Sequence, residues 1–118
     1  MKVRPAEITE QFIAILDQHI LELKEGLAER TYHLQDIAAM MHIHPRHLSN
    51  TISDTLHRSP CDLFEERLLS VAKELILNTN HSIAYIARHL TYDPSNFGKF
   101  FKAFEGITPK QFRDMNKV

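Results

Sequence analysis

The sequence predicts an all-α fold in which two like helix pairs are joined by one long helix. Apolar residues recur at three- and four-residue spacing almost throughout, and the β-branched alternation of a half-buried strand is absent. Glycine is scarce, with only Gly26, Gly98 and Gly106. A set of residues also repeats at a constant offset of 49 positions. Ile37-Ala38 returns as Ile86-Ala87, Pro45 as Pro94, Leu48 as Phe97, Ile52 as Phe101, Ser59-Pro60 as Thr108-Pro109, and Leu63 as Phe112.

The first helix is expected from about Ala6 to Lys24, with Ile8, Phe12, Ile15, Leu16, Ile20 and Leu23 as its buried stripe and Gly26 near its end. Residues 1–30 then form an amphipathic helix and connection that pack on the first repeat unit, residues 31–59. Each unit has the same grammar. A short helix (Leu34–Met41, then Ile83–Leu90) carries a small residue at Ala38 or Ala87, where a second helix can cross closely. A tight turn follows, ending in an apolar plug (Ile43, Tyr92), a polar cap position (His44, Asp93) and a proline at the first helical position. The second helix runs over Pro45–Leu56 or Pro94–Phe104. Leu48, Ile52 and Leu56 share one face of the first copy, and Phe97, Phe100, Phe101 and Phe104 one face of the second.

That is the helix-turn-helix arrangement, whose second helix can enter a DNA major groove. Its outer face must then carry hydrogen-bonding groups. Arg46, Ser49, Asn50 and Ser53 lie on that face in the first copy, and Ser95, Asn96, Lys99 and Lys102 in the second, with Gly98 allowing close backbone approach. Arginine pairs bidentately with guanine and asparagine with adenine, which marks Arg46, Asn50 and Asn96 as the base readers. Lys99 and Lys102 reach either a base or a phosphate.

Residues 60–78 form the linker, a helix opened by Pro60 and reaching roughly Leu77, and residues 79–118 form the second unit and a C-terminal helix. At about 1.5 Å per residue the linker spans on the order of 27 Å. Adjacent major-groove sites on one face lie about 34–36 Å apart, so a rod of this length, with the offset of each recognition helix from its ends, suits double insertion.

Composition limits the alternatives. A chain of 118 residues with 43% hydrophobic content suits one compact domain. Cys61 is the only cysteine, so no internal disulfide forms, and a reducing cytoplasm fits best. No membrane-spanning or leader-like apolar stretch is present in the sequence. The net charge of −1 speaks against a polyanion-coating protein. The basic excess is local: residues 88–118 hold six Lys/Arg against three Asp/Glu, whereas residues 1–30 and 31–87 each hold four against six.

The stretches Ser82-Ile83-Ala84-Tyr85-Ile86-Ala87, Asp93-Pro94-Ser95-Asn96-Phe97-Gly98-Lys99-Phe100-Phe101-Lys102 and Gly106-Ile107-Thr108-Pro109-Lys110-Gln111-Phe112-Arg113 resemble the signature of the AraC/XylS family of bacterial transcription regulators. Arg67-Leu68-Leu69-Ser70-Val71-Ala72-Lys73-Glu74-Leu75-Ile76 is similar to that family's linker helix. The resemblance covers about residues 12–115. It implies two homeodomain-like helix-turn-helix subdomains on a linker helix, double-stranded DNA as partner, and base contacts from Arg46, Ser49 and Asn50 and from Ser95, Asn96 and Lys99. Regulation would then follow from contact with RNA polymerase or from blocking it. Two departures stand out: Thr91-Tyr92 replaces the usual Gly-Phe with one residue fewer before Asp93, and His57 occupies a common glycine position. The shorter turn is expected to re-aim the second recognition helix. Family members usually add an effector-binding or dimerising domain, so the chain resembles either a short stand-alone member or the C-terminal piece of a longer regulator.

Other readings are weaker. Helical spacing assigns the phenylalanine stripe to core rather than to base stacking. His33, His42, His44 and His47 lack carboxylate or cysteine companions at ligand spacing, so cap, turn and phosphate-facing roles suit them better than a metal. Cys61, near a helix start, is a structural or incidental thiol before it is a redox switch. Glu65, Glu66, Asp54 and Asp62 read as surface charge, and no catalytic, cofactor or metal motif is present in the sequence. Ile13 and Leu21, off the main stripe of the first helix, pack on the first unit, form a homodimer contact, or are the seat of an absent effector domain. The rival from another class is a protein-interaction adaptor on the same scaffold with little DNA affinity.

Overall fold

The computed structural model describes residues 4–117, and among these it contains helices and no strand. They are α1 (Pro5–Lys24), α2 (Leu34–Met40), α3 (Pro45–Leu56), α4 (Pro60–Asn78), α5 (Ile83–His89), α6 (Pro94–Glu105) and α7 (Pro109–Met115). For α1 to α6 the expected and observed ends agree within one residue. The opening residues Met1, Lys2 and Val3 lie outside the described part.

Proline at the first turn opens α3, α4, α6 and α7, where its missing N–H costs no hydrogen bond. Side-chain caps fix the same starts. The Ser59 hydroxyl accepts from Asp62 N–H at 3.0 Å, and the Thr108 hydroxyl from Gln111 N–H at 3.1 Å. These residues stand 49 positions apart, so the repeat extends to cap chemistry. Replacing such a cap by alanine costs about 1 kcal/mol.

The two turns are also copies of one another. Ile43 N–H donates to Ala38 C=O at 3.0 Å, and His42 N–H to Ala39 C=O at 3.2 Å. In the second unit Tyr92 N–H donates to Ala87 C=O at 2.8 Å, and Thr91 N–H to Arg88 C=O at 2.9 Å. This is the Schellman pattern, which needs a left-handed residue after the helix. His42 and Thr91 supply it, with φ of 57° and 65°. The turns of the two units therefore match, and Thr91 takes the conformation a glycine would adopt without strain. The ends of α3 and α6 match too: His57 at φ 57° caps α3 and Gly106 at φ 83° caps α6.

Burial follows the repeat. Ala38 and Ala87, Leu48 and Phe97, and Ile52 and Phe101 are all fully buried. The expected face of α6 needs one correction. Phe104 is 51% exposed at the last turn of the helix, and its ring meets Phe100 at a centroid distance of 5.3 Å. On α1, Ile15 is only half-buried while His19 is 1% exposed, so the buried stripe is rotated toward His19. Leu21 is 45% exposed and Ile13 packs partly on the core.

Helix α4 is the shared spine, with Leu63, Leu68, Val71, Ala72 and Ile76 buried along it. Arg67 of α4 pairs with Asp17 of α1 at 2.6 Å, Glu74 with Lys24 of α1 at 2.8 Å, and Lys73 with Glu105 of α6 at 2.6 Å. At the far end Arg113 donates to the Ile76 and Thr79 carbonyls at 3.1 and 3.4 Å, satisfying the C-terminus of α4 and anchoring α7. The units also touch directly. The Thr31 and Thr91 hydroxyls lie 2.8 Å apart, and His89 Nε2–H donates to Lys24 C=O at 2.7 Å. Gly26 gives His89 room, since a Cβ there would lie 2.6 Å from the ring. The molecule is elongated, 55 × 27 × 23 Å, with a radius of gyration of 15.8 Å. A sphere-like chain of this length would give about 13 Å.

Candidate nucleic-acid interface

The second helices of the two units, α3 and α6, start from caps that free their outer faces. His44 Nδ1 accepts from Arg46 N–H at 3.1 Å, and Asp93 Oδ2 accepts from Ser95 and Asn96 N–H at 3.0 and 3.2 Å. The first-turn amides are therefore held by the cap residues, and the side chains of Arg46, Ser95 and Asn96 stay free. Opposite these faces, Leu48 with Ile52 and Phe97 with Phe101 seat each helix in its own core.

On α3, Arg46 and Asn50 are exposed, as is His47. Ser53 and Ser49 are half-buried, Ser49 beside a crevice against α1 and α4, so these two are less accessible than Arg46 and Asn50. On α6, Ser95, Asn96, Lys99 and Lys102 are all exposed, and Gly98 is half-buried with nothing within 4 Å of where a Cβ would stand.

The electrostatics separate structural from available cations. Lys24, Arg30, Arg58, Arg67, Lys73 and Lys117 are paired with carboxylates, and of these pairs only Lys73–Glu105 reaches α3 or α6, at the last residue of α6. Arg30 and Asp36 make a bidentate pair at 2.9 and 3.0 Å, and Asp36 also accepts from His33 N–H at 2.7 Å. The guanidinium first, and the His33 amide second, hold the Asp36 carboxyl well below the usual carboxylate range. Among the described residues, Arg46, Lys99 and Lys102 join no ion pair, as is also true of Arg4, Arg88, Lys110 and Arg113 outside α3 and α6, and their charge is left for an outside anion.

The histidines take ordinary places. His33 and His44 stand at helix N-caps, His42 in a turn and His47 on the surface of α3. No group of three or more His, Cys, Asp or Glu side chains suited to a metal occurs among the described residues. Cys61 donates to Glu65 Oε1 at 3.2 Å. Partial burial, and then this acceptor, push its thiol up to about 11, which disfavours the reactive thiolate that a redox switch needs.

Two copies of one bihelical unit, each presenting a Pro-opened second helix with an exposed polar face, define a double helix-turn-helix domain. The comparisons agree. Residues 37–115 match the family described as a helix-turn-helix domain. The uncharacterized HTH-type transcriptional regulator YfiF of Bacillus subtilis is 32% identical over 104 residues, covering 88% of this chain and 33% of that one. The arabinose operon regulatory protein of Escherichia coli is 26% identical over 115 residues, covering 93% and 39%. Among solved structures, the C-terminal domain of AraT, a response regulator from Geobacillus stearothermophilus, superposes with a TM-score of 0.74 at 26% identity, covering 88% of this chain and 87% of that domain. The chain belongs to the AraC-type helix-turn-helix family of DNA-binding transcription regulators, and this family is not one of enzymes. It spans roughly a third of the length of these curated relatives, 33% and 39%.

Sequence reasoning missed two features of the site region. His19 is buried although it was not counted in the stripe; its spacing of three from Leu16 and four from Leu23 was the available signal. The left-handed residue at His42 carries no glycine signal, and at Thr91 only the family's usual glycine at that position points to it.

Proposed function

We propose that the chain binds double-stranded DNA by inserting α3 and α6 into successive major grooves on one face of the duplex. Arg46 and Asn50 read bases in one half-site and Asn96 in the other, with Ser49, Ser53 and Ser95 beside them. Lys99 and Lys102 hold phosphate or a base edge. The observation that carries this reading is that Arg46 of α3 and Lys99 and Lys102 of α6, on two equivalent helices, are exposed and join no ion pair among the described residues. The 55 Å length of the molecule suits two grooves about 34–36 Å apart. Transcription is then changed by contacting RNA polymerase or by occluding it, in the cytoplasm, with the homodimer contact on the outer side of α1 where Leu21 is exposed.

The near-neutral charge of −1 favours the rival adaptor reading. Selection of bound duplexes from a random library, followed by affinity at several salt concentrations, separates the two. Double insertion gives a bipartite motif and an affinity that falls with salt by roughly 0.9 log units per phosphate neutralised and per log unit of salt. An adaptor gives no enriched sequence and no salt-dependent binding.

A further inference from the structure

A crevice of about 410 Å³ opens where α1, α2, α3, the start of α4 and the α5–α6 turn meet. Its walls are mostly apolar, with Phe12, Leu16, Leu34 and Phe64 on one unit and Tyr92 from the other. That size falls within the roughly 300–1,000 Å³ range of small-molecule sites, which combine apolar walls with a few placed polar groups.

One polar group in this wall is unsatisfied. His19 is 1% exposed and stacks on Tyr32 with centroids 3.9 Å apart and planes within 7°. Its Nε2 accepts from Tyr32 N–H at 3.0 Å, so the proton of the neutral ring sits on Nδ1. Nδ1 is buried and has no acceptor among the described residues. Buried donors are nearly always paired, and this one belongs to a side chain lining an apolar crevice. Glu65 stands in the same wall with Cys61 donating to it, so a carboxylate lines the crevice and disfavours an anionic ligand.

We propose that this crevice is a binding site for an uncharged, predominantly apolar small molecule with one carbonyl oxygen, which accepts the His19 Nδ1–H while its hydrocarbon body fills the space between the two units. Ser49 of α3 and Tyr92 of the α5–α6 turn both border the site, so an occupant touches both helix-turn-helix units.

The test uses the full chain without DNA, so its result is independent of the nucleic-acid reading. Indanone, indane and indane carboxylate are titrated into isotope-labelled protein. Backbone amide shifts locate the site, and long-range proton–nitrogen spectra follow the His19 ring. Indanone is expected to saturate shifts at the crevice walls, move the Nδ1–H resonance downfield, and bind on the order of tenfold tighter than indane or the carboxylate. His19→Phe is expected to bring indanone down to the affinity of indane. Equal binding of indanone and indane to the unaltered chain overturns the proposal, and so does tighter binding of the carboxylate. Shifts located elsewhere, or none with any probe, overturn it as well. The spectra of the unaltered chain decide the matter even where the His19→Phe protein does not fold.

Discussion

The Thr31 and Thr91 hydroxyls meet at 2.8 Å across sixty positions of sequence, and Thr91 makes this contact from a left-handed backbone conformation at φ 65°. A β-branched residue in that region is strained by about 1–2 kcal/mol, against about 1 kcal/mol for the hydrogen bond it makes. Thr31→Val should therefore cost about 1 kcal/mol. Thr91→Gly should be near neutral alone and more favourable in the Thr31→Val background. Urea midpoints of the four proteins measure the coupling, and strictly additive effects would contradict the link.

Gly98 lies mid-helix in α6 with open space where a side chain would stand. Gly98→Ala should stabilise the fold by about 0.8–1.0 kcal/mol. If the α6 backbone closes on DNA there, the same substitution should weaken binding on the order of tenfold, about 1.4 kcal/mol. Thermal unfolding and a DNA titration read the two effects separately. A gain in stability with unchanged affinity would place the DNA away from this turn of α6.

The amphipathic pattern, the proline-opened helices and the 49-residue repeat were legible in the sequence because each has a local cause: capping chemistry, helical spacing and duplication. The face of each recognition helix was legible for the same reason, since Leu48 with Ile52 and Phe97 with Phe101 fix what points inward. Phe104 was misplaced because periodicity does not say where the core stops. The spacing of His19 from Leu16 and Leu23 places it on the buried stripe, but the partners that make a buried histidine tolerable there, Tyr32 and Phe64, are brought together only by the fold. The partial burial of Ser49 arises likewise from its position beside the α1–α4 crevice, not from its place on α3.

Burial lowers the affinity of His19 for a proton below the usual imidazole value of 6.5, with Arg30 adding to this and Glu22 and Asp36 opposing it. Its neutral ring also accepts the Tyr32 N–H, and protonation would set two donors face to face. The unfolded chain then binds the extra proton first as pH falls. This contribution to stability is complete above about pH 6.5 and is lost progressively toward the lower folded value. Chemical denaturation between pH 7.5 and 5 should show the decline, and His19→Gln, which keeps an acceptor for Tyr32, should flatten it. An unchanged slope in that variant would assign the acid sensitivity to other groups.

Base readers and phosphate clamps differ in which sequences they penalise. Arg46→Ala or Asn50→Ala should cost about 1–3 kcal/mol and relax preference at one or two base pairs of the first half-site. Lys102→Ala should weaken binding to every sequence and reduce the salt slope by about 1. Repeating the library selection with each variant checks this. The same uniform loss from Arg46→Ala and Lys102→Ala would remove Arg46 from the base-reading set.

Because α4 and the Thr31–Thr91 contact fix the two units to one another, the spacing of the half-sites is the most direct test of double insertion. The measurement is the affinity of the chain for its selected duplex with about five base pairs, half a helical turn, added between the two half-sites. Double insertion predicts that affinity falls to that of a single half-site, because the second groove has rotated to the far side of the DNA. Unchanged affinity would contradict simultaneous insertion of α3 and α6.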